Sequence, residues 1–277
     1  MKTFKLFFAA TAAFLLSVAV SCGPKKETQK VLVLYYSQST NTKALAEELA
    51  SRLGADLEEV VPVEPYAGTY QDVVERSRLE REQGILPEVA PVKADIASYD
   101  IIFLGYPIWF GTYALPMASA LAQIDLNGKK VVPFCTFGSG GLTTSSKDLQ
   151  ALFPDAEVLP GYGVRAARME AMPGEVDFFL KSNGYIEGEV AKLEEFPETH
   201  AVNEEESALF DAAVDGYPMI HAKAQAVASR AIPGGTEYLF TALSLPREGF
   251  PMSDMPQMKV YVKVEDGKAP VFTQVVR

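Results

Sequence analysis

From residue 31 the chain alternates between short apolar runs and longer segments whose apolar residues recur every three or four positions. Val31-Leu32-Val33-Leu34-Tyr35-Tyr36 is continuous and rich in β-branched and aromatic residues, the pattern of a strand buried on both faces. The polar loop Ser37-Gln38-Ser39-Thr40-Asn41-Thr42 follows. Ala44, Leu45, Leu49 and Leu53 then place one apolar stripe on a helix that Gly54 ends. The same alternation repeats. Residues 56–63 alternate as a second strand, 70–83 read as a polar helix, 100–104 (DIIFL) as a third strand and 113–124 as a helix. Residues 130–134 (KVVPF) predict a fourth strand, 146–153 a short helix, 156–159 a fifth strand and 175–182 a fifth helix. Apolar strands alternating with helices predict an α/β domain, a doubly wound five-stranded parallel sheet covered on both faces. Ligands in such folds sit beyond the carboxyl ends of the strands. The loops after the first, third and fourth strands are therefore where chemistry is sought.

The pattern changes after Gly184. Residues 187–207 are rich in glutamate, and 203–213 have helical periodicity. From about residue 220 strand-like segments follow, with Gly234-Gly235, Gly249 and Asp266-Gly267 as turns. A helix followed by consecutive strands predicts a smaller α+β domain. The organisation expected is thus residues 31–184 and 187–277, with a boundary near 184–190.

The first thirty residues have another character. Residues 1–5 (MKTFK) carry two lysines, and residues 6–20 are apolar or small. The apolar run falls short of the ~20 residues that span a bilayer. It reads as a secretory signal over residues 1–21. Ala19-Val20-Ser21-Cys22 resembles a bacterial lipobox, which implies cleavage before Cys22 and lipidation of its thiol. Several acyl chains at about 0.8 kcal/mol per buried CH₂ hold a protein on a membrane, with residues 22–30 as a polar tether. The location expected is the bacterial cell envelope, outside the cytoplasm.

Composition narrows the chemistry. The 277 residues carry 25 Lys+Arg and 36 Asp+Glu, a net charge of −11, and loss of Lys2 and Lys5 makes it two units more negative. Such a surface repels phosphate backbones, so nucleic acid is not expected as a partner. Two cysteines and two histidines, with no HExxH or CxxC spacing, give neither a disulfide framework nor a zinc site, and no metal is expected. Nor do they support a Ser-His-Asp hydrolase: Phe137-Gly138-Ser139-Gly140-Gly141 lacks the GxSxG spacing. Cys135 lies in an apolar run and reads as a buried, inert thiol.

Three loops remain. Hydroxyls and amides at 37–42, opening a helix, suit an anion, although the same residues serve a plain helix cap. Gly105-Tyr106-Pro107-Ile108-Trp109-Phe110-Gly111-Thr112 holds the only tryptophan, an aromatic surface for a flat ligand or an edge of the core. Phe134-Cys135-Thr136-Phe137-Gly138-Ser139-Gly140-Gly141 is glycine-dense, so its backbone can approach a ligand closely.

Together these stretches resemble the flavodoxins. YYSQSTNTKALA is similar to their phosphate loop. GYPIWFGTYALPM and PFCTFGSGG are similar to the two flavin-gripping loops of a bacterial subfamily, and PYAGTYQDVVERSRLERE also resembles that subfamily. The resemblance spans about residues 31–184. It implies strand order 2-1-3-4-5 and FMN as cofactor. It assigns Ser37, Gln38, Ser39, Asn41 and Thr42 to the FMN phosphate, with Thr40 where related loops usually have glycine. A β-branched residue is strained there if the position needs positive φ. It assigns Pro107, Ile108, Trp109, Phe110 and Gly111 to one side of the isoalloxazine. Thr136, Phe137, Gly138, Ser139 and Gly141 take the other.

The function expected is a membrane-anchored FMN redox protein, an electron carrier or a flavin-dependent reductase, partnered by a redox protein or a small electron acceptor. No catalytic side chain is nominated, since the flavin carries the chemistry. The alternative is an exported binding or scaffold lipoprotein whose flavodoxin-like domain carries no FMN. The GTEYLF segment and the order of elements give residues 187–277 a resemblance to cystatin-like folds. The inhibitory QxVxG loop is missing at Ala231-Ile232-Pro233-Gly234-Gly235, so a docking module is expected rather than a protease inhibitor.

Overall fold

The structure, a computed structural model, describes residues 29–246 and 257–277. The signal segment, Cys22 and the turn expected at Gly249 lie outside the described residues. Strand β1 (Val31–Tyr35) leads into α1 (Thr40–Leu53), β2 (Asp56–Glu59), α2 (Tyr70–Gln83), β3 (Ile101–Trp109) and β4 (Thr112–Tyr113). Then come α3 (Leu115–Leu121), β5 (Lys130–Phe137), α4 (Leu142–Leu152), β6 (Glu157–Val158), β7 (Tyr162–Arg165) and α5 (Met172–Ser182).

The main strands run parallel in the order β2-β1-β3-β5-β6. This is the 2-1-3-4-5 order, with β5 as the fourth strand. The fifth strand comes in two pieces. Lys130 and Val131 pair with β6, whereas Phe134–Phe137 pair with β7. The apolar pattern predicts only the first piece. The second contains Gly163, where a Cβ would lie 2.6 Å from the Phe137 ring, so close packing excludes the side chain that would mark a strand. The second strand ends at Glu59 rather than residue 63, and Pro62 bridges Val89 instead.

Side chains alternate between the two faces with period two. Leu32, Leu34, Ile102 and Leu104 pack with Met117, Leu121 and Leu149 of α3 and α4. Val33, Tyr35, Phe103 and Phe134 pack with Leu45, Leu49, Val176 and Leu180 of α1 and α5. Each fully buried side chain of this kind contributes about 1.5–3 kcal/mol.

The second unit comprises β8 (His200–Ala201), α6 (Glu204–Val214), β9 (Ala222–Ile232), β10 (Gly235–Ser244), β11 (Gln257–Glu265) and β12 (Val271–Val276). Its antiparallel sheet has the order β12-β11-β10-β9-β8. An Asn203–Glu206 capping box starts α6. Phe210 and Ala213 of α6 close a core with Val227, Phe240, Val260, Val262 and Phe272. Arg230 pairs with Glu237 at 2.6 Å, and Tyr238 stacks on Phe240, so both have structural roles. Among the described residues no helix is long and apolar enough to cross a membrane.

Candidate ligand cleft

A cleft of about 810 Å³ opens beyond the carboxyl ends of β1, β3 and β5, within the range of small-molecule sites. From the first loop Gln38 and Ser39 line it. Pro107, Ile108, Trp109, Phe110 and Gly111 line it from the end of β3 and its turn. Gly138, Ser139 and Gly141 line it from the loop after β5. Ser37, Thr40 and Asn41 stand on the same loop and first helical turn, outside this lining. Thr42 and Thr136 are both buried, and their hydroxyls lie 2.7 Å apart, bonded to each other. Phe137 is buried in the core.

The first loop is braced from behind. Tyr36 donates its hydroxyl to Gln38 Oε1 at 2.6 Å, and Gln38 Nε2 donates to the Tyr66 carbonyl at 2.9 Å. The Ser37 hydroxyl donates to the Ser39 carbonyl and accepts the Lys43 amide. Ser39 is the N-cap of α1, yet its side chain makes no capping bond. Helix-start amides without intrahelical acceptors, beside an uncommitted hydroxyl, suit an anion. Thr40 opens α1 without strain: outside glycine, Phe110 alone among the described residues has positive φ.

Trp109 answers to both readings of its loop. It meets Tyr36 and Tyr66 edge-on, at 5.8 and 5.1 Å between ring centroids, and it also lines the cleft. Its neighbours Phe110 (φ 50°) and Gly111 (φ 88°) form the two-residue hairpin turn joining β3 to β4. Positive φ at both central residues is the type I′ signature, which favours Asn or Gly over an aromatic. Phe110 is 48% exposed, with the Arg81 guanidinium over its ring. Strain of this kind collects at functional sites.

Cys135 is fully buried, and desolvation pushes its thiol well above the ordinary range, keeping it protonated and inert. Tyr106 is likewise raised, first by burial and then by Cys135 nearby. Neither is poised for chemistry.

Two walls of the cleft escape the sequence reading. Thr69, Tyr70, Val73, Val74 and Ser77 line it from α2 and its cap. The family-like stretch 65–82 was the available signal, but its polar pattern concealed which side faces inward. The other wall belongs to the second unit: Tyr217, Met219 and residues 274–277. No local pattern marks these, because only the packing of the two units brings them there.

A doubly wound sheet with a hydroxyl-bearing helix start, an aromatic turn and a glycine loop at its switch point defines a flavodoxin-like domain. Residues 30–172 match the family model described as flavodoxin, and the chain belongs to that family. Three solved structures illustrate the likeness. A candidate flavoprotein from Bacteroides eggerthii is 29% identical, with a TM-score of 0.46, and 54% of this chain and 97% of that chain covered. One from Bacteroides uniformis is 26% identical, with a TM-score of 0.48 and coverage of 54% and 98%. A flavoprotein from Lactobacillus acidophilus, solved in complex with FMN, is 27% identical, with a TM-score of 0.45 and coverage of 54% and 97%. No curated protein matches the chain.

Proposed function

We propose that the cleft binds FMN and that the chain is an exported, lipid-anchored flavin redox protein. The observation that carries this is the convergence of the α1 start, the Trp109 turn and the glycine loop on one cleft of about 810 Å³ at the switch point. When bound, FMN supplies hydride or single-electron transfer. The chain's own residues bind and orient it. Ser39 and the first amides of α1, that of Asn41 among them, would hold the phosphate with neutral donors. Trp109 and Phe110 would flank one side of the ring system, and residues 138–141 the other. Anchoring rests on the sequence of residues 1–22, with Cys22 as the lipidated residue. Helix α6 packed on the antiparallel sheet supports the cystatin-like reading of residues 187–277 as a docking module.

A second reading is a binding lipoprotein without flavin. The observation favouring it is that two polar groups of the nominated site, Thr42 and Thr136, are committed to each other. An FMN fluorescence titration of the chain, with riboflavin as control, separates the two. Quenching by FMN at micromolar protein, weaker with riboflavin, supports the flavin site and its phosphate loop. No quenching by either flavin leaves the second reading.

A further inference from the structure

The glycine loop after β5 faces the cleft on one side and the second unit on the other. The Val275 amide of β12 donates to the Ser139 carbonyl at 2.6 Å. Arg165, at the end of β7, donates Nε to the Gly138 carbonyl and Nη1 to the Phe272 carbonyl, both at 2.9 Å. Its guanidinium lies 3.4 Å over the Phe272 ring centre and 5.2 Å from that of Tyr217. Arg165 is 8% exposed, so a buried charge is held by carbonyl oxygens and aromatic faces.

The glycines fit this docking closely. A Cβ at Gly140 would lie 2.1 Å from the Val275 carbonyl oxygen, and one at Gly138 would lie 2.7 Å from the Tyr217 hydroxyl. Farther from the cleft, Lys263 of β11 reaches Glu175 of α5 at 2.8 Å, a second tie between the units. The cleft itself is walled by both, with Tyr217 and residues 274–277 lining it together with Trp109 and Phe110.

We infer that ligand binding in the cleft is coupled to docking of the second unit, with the 138–141 loop as the shared element and Arg165 as the residue that positions it. The inference rests on the flavin reading of the cleft. A ligand touching both walls makes part of its contacts only while the units are docked, so each event favours the other by the same factor. Residues 203–277 are on this account part of the flavin site, not an appendage to it.

The test uses the full chain. Amide exchange is followed with and without FMN, and FMN is titrated into the wild type, Arg165→Met, Arg165→Lys and Lys263→Met. FMN is expected to slow exchange of the Val275 amide by roughly 5- to 150-fold, the usual range for coupled sites. Arg165→Met is expected to weaken FMN binding at least fivefold. Arg165→Lys, which keeps the charge but loses the forked donor pair, should fall between it and the wild type. Lys263→Met, which loosens docking away from the cleft, should weaken binding in the same direction by a smaller factor. It keeps the test open if Arg165→Met does not fold. FMN binding that leaves Val275 exchange unchanged, or equal affinity in every folded variant, overturns the coupling alone. A wild type that binds no FMN overturns the flavin reading, and the coupling with it.

Discussion

The two loops that flank the cleft meet different demands. The loop between β1 and α1 is braced by its own neighbours, Tyr36, Gln38 and Tyr66, and leaves the Ser39 side chain without a capping bond. The loop after β5 is braced from outside, by Val275, Arg165 and Tyr217. Glycine density there looks like room for a ligand. At Gly138 and Gly140 the missing side chains instead make room for the second unit, while Gly141 clears Ile108. By contrast, a Cβ at Gly111 would meet nothing within 4 Å, and its φ of 88° is what calls for glycine. A glycine-rich motif therefore records close approach without saying what approaches.

The largest way to test this contrast is through pH. Glu175 joins the units, accepting from Lys263 at 2.8 Å, Arg168 at 2.7 Å and Tyr162 at 2.9 Å. Burial alone would raise its pKa, but Lys263 and Arg168 together hold it below the ordinary value of about 4.5. A carboxyl depressed in the folded state stabilises fully above its unfolded pKa. That contribution is lost as pH falls through the folded value. Stability should therefore hold above about pH 5 and be lost progressively as pH falls below it. Denaturant unfolding of Glu175→Gln, compared with the wild type at pH 7 and pH 3, checks it: the difference should shrink at low pH.

A smaller effect isolates the first loop. Ser39→Ala removes one uncommitted hydroxyl at the start of α1. It should weaken FMN by about 1.5 kcal/mol, roughly tenfold, as expected for a hydrogen bond to a charged group. Riboflavin, which lacks the phosphate, should bind the variant and the wild type alike. Equal loss for both ligands would show that the hydroxyl serves the fold and not the phosphate.

The smallest effect is of opposite sign. Phe110 adopts positive φ while 48% exposed, so it gives up little burial if replaced. Phe110→Asn suits a type I′ turn and should raise stability by about 0.5 kcal/mol. Flavin affinity should fall, because the ring at the cleft is lost. A variant that gains stability and keeps its affinity would place the aromatic outside the flavin contacts.

Much of this architecture was legible along the chain. Val31–Tyr35 and the apolar stripe of α1 follow from period alone, because a strand buried on both faces has no polar positions. The polar helix at 70–83 matched its observed span, closed by a capping box at Thr69 and Asp72 and by Gly84. Harder to read was β7, whose Gly163 is dictated by Phe137 across the sheet. The pairing of Thr42 with Thr136, 94 residues apart, has no local trace.

The order of residues along the chain is enough to specify the alternation of strands and helices, the three loops at one sheet edge and their residue types. These follow from local periodicity and from the rule that parallel strands present their carboxyl ends together. Which polar groups stay available and which are committed to each other depends instead on three-dimensional packing. It alone brought Tyr217, Met219 and residues 274–277 to the cleft and set Arg165 between the Gly138 and Phe272 carbonyls. The reason is physical: hydrogen bonding and burial between residues far apart in the chain depend on packing, and packing leaves no period in the sequence.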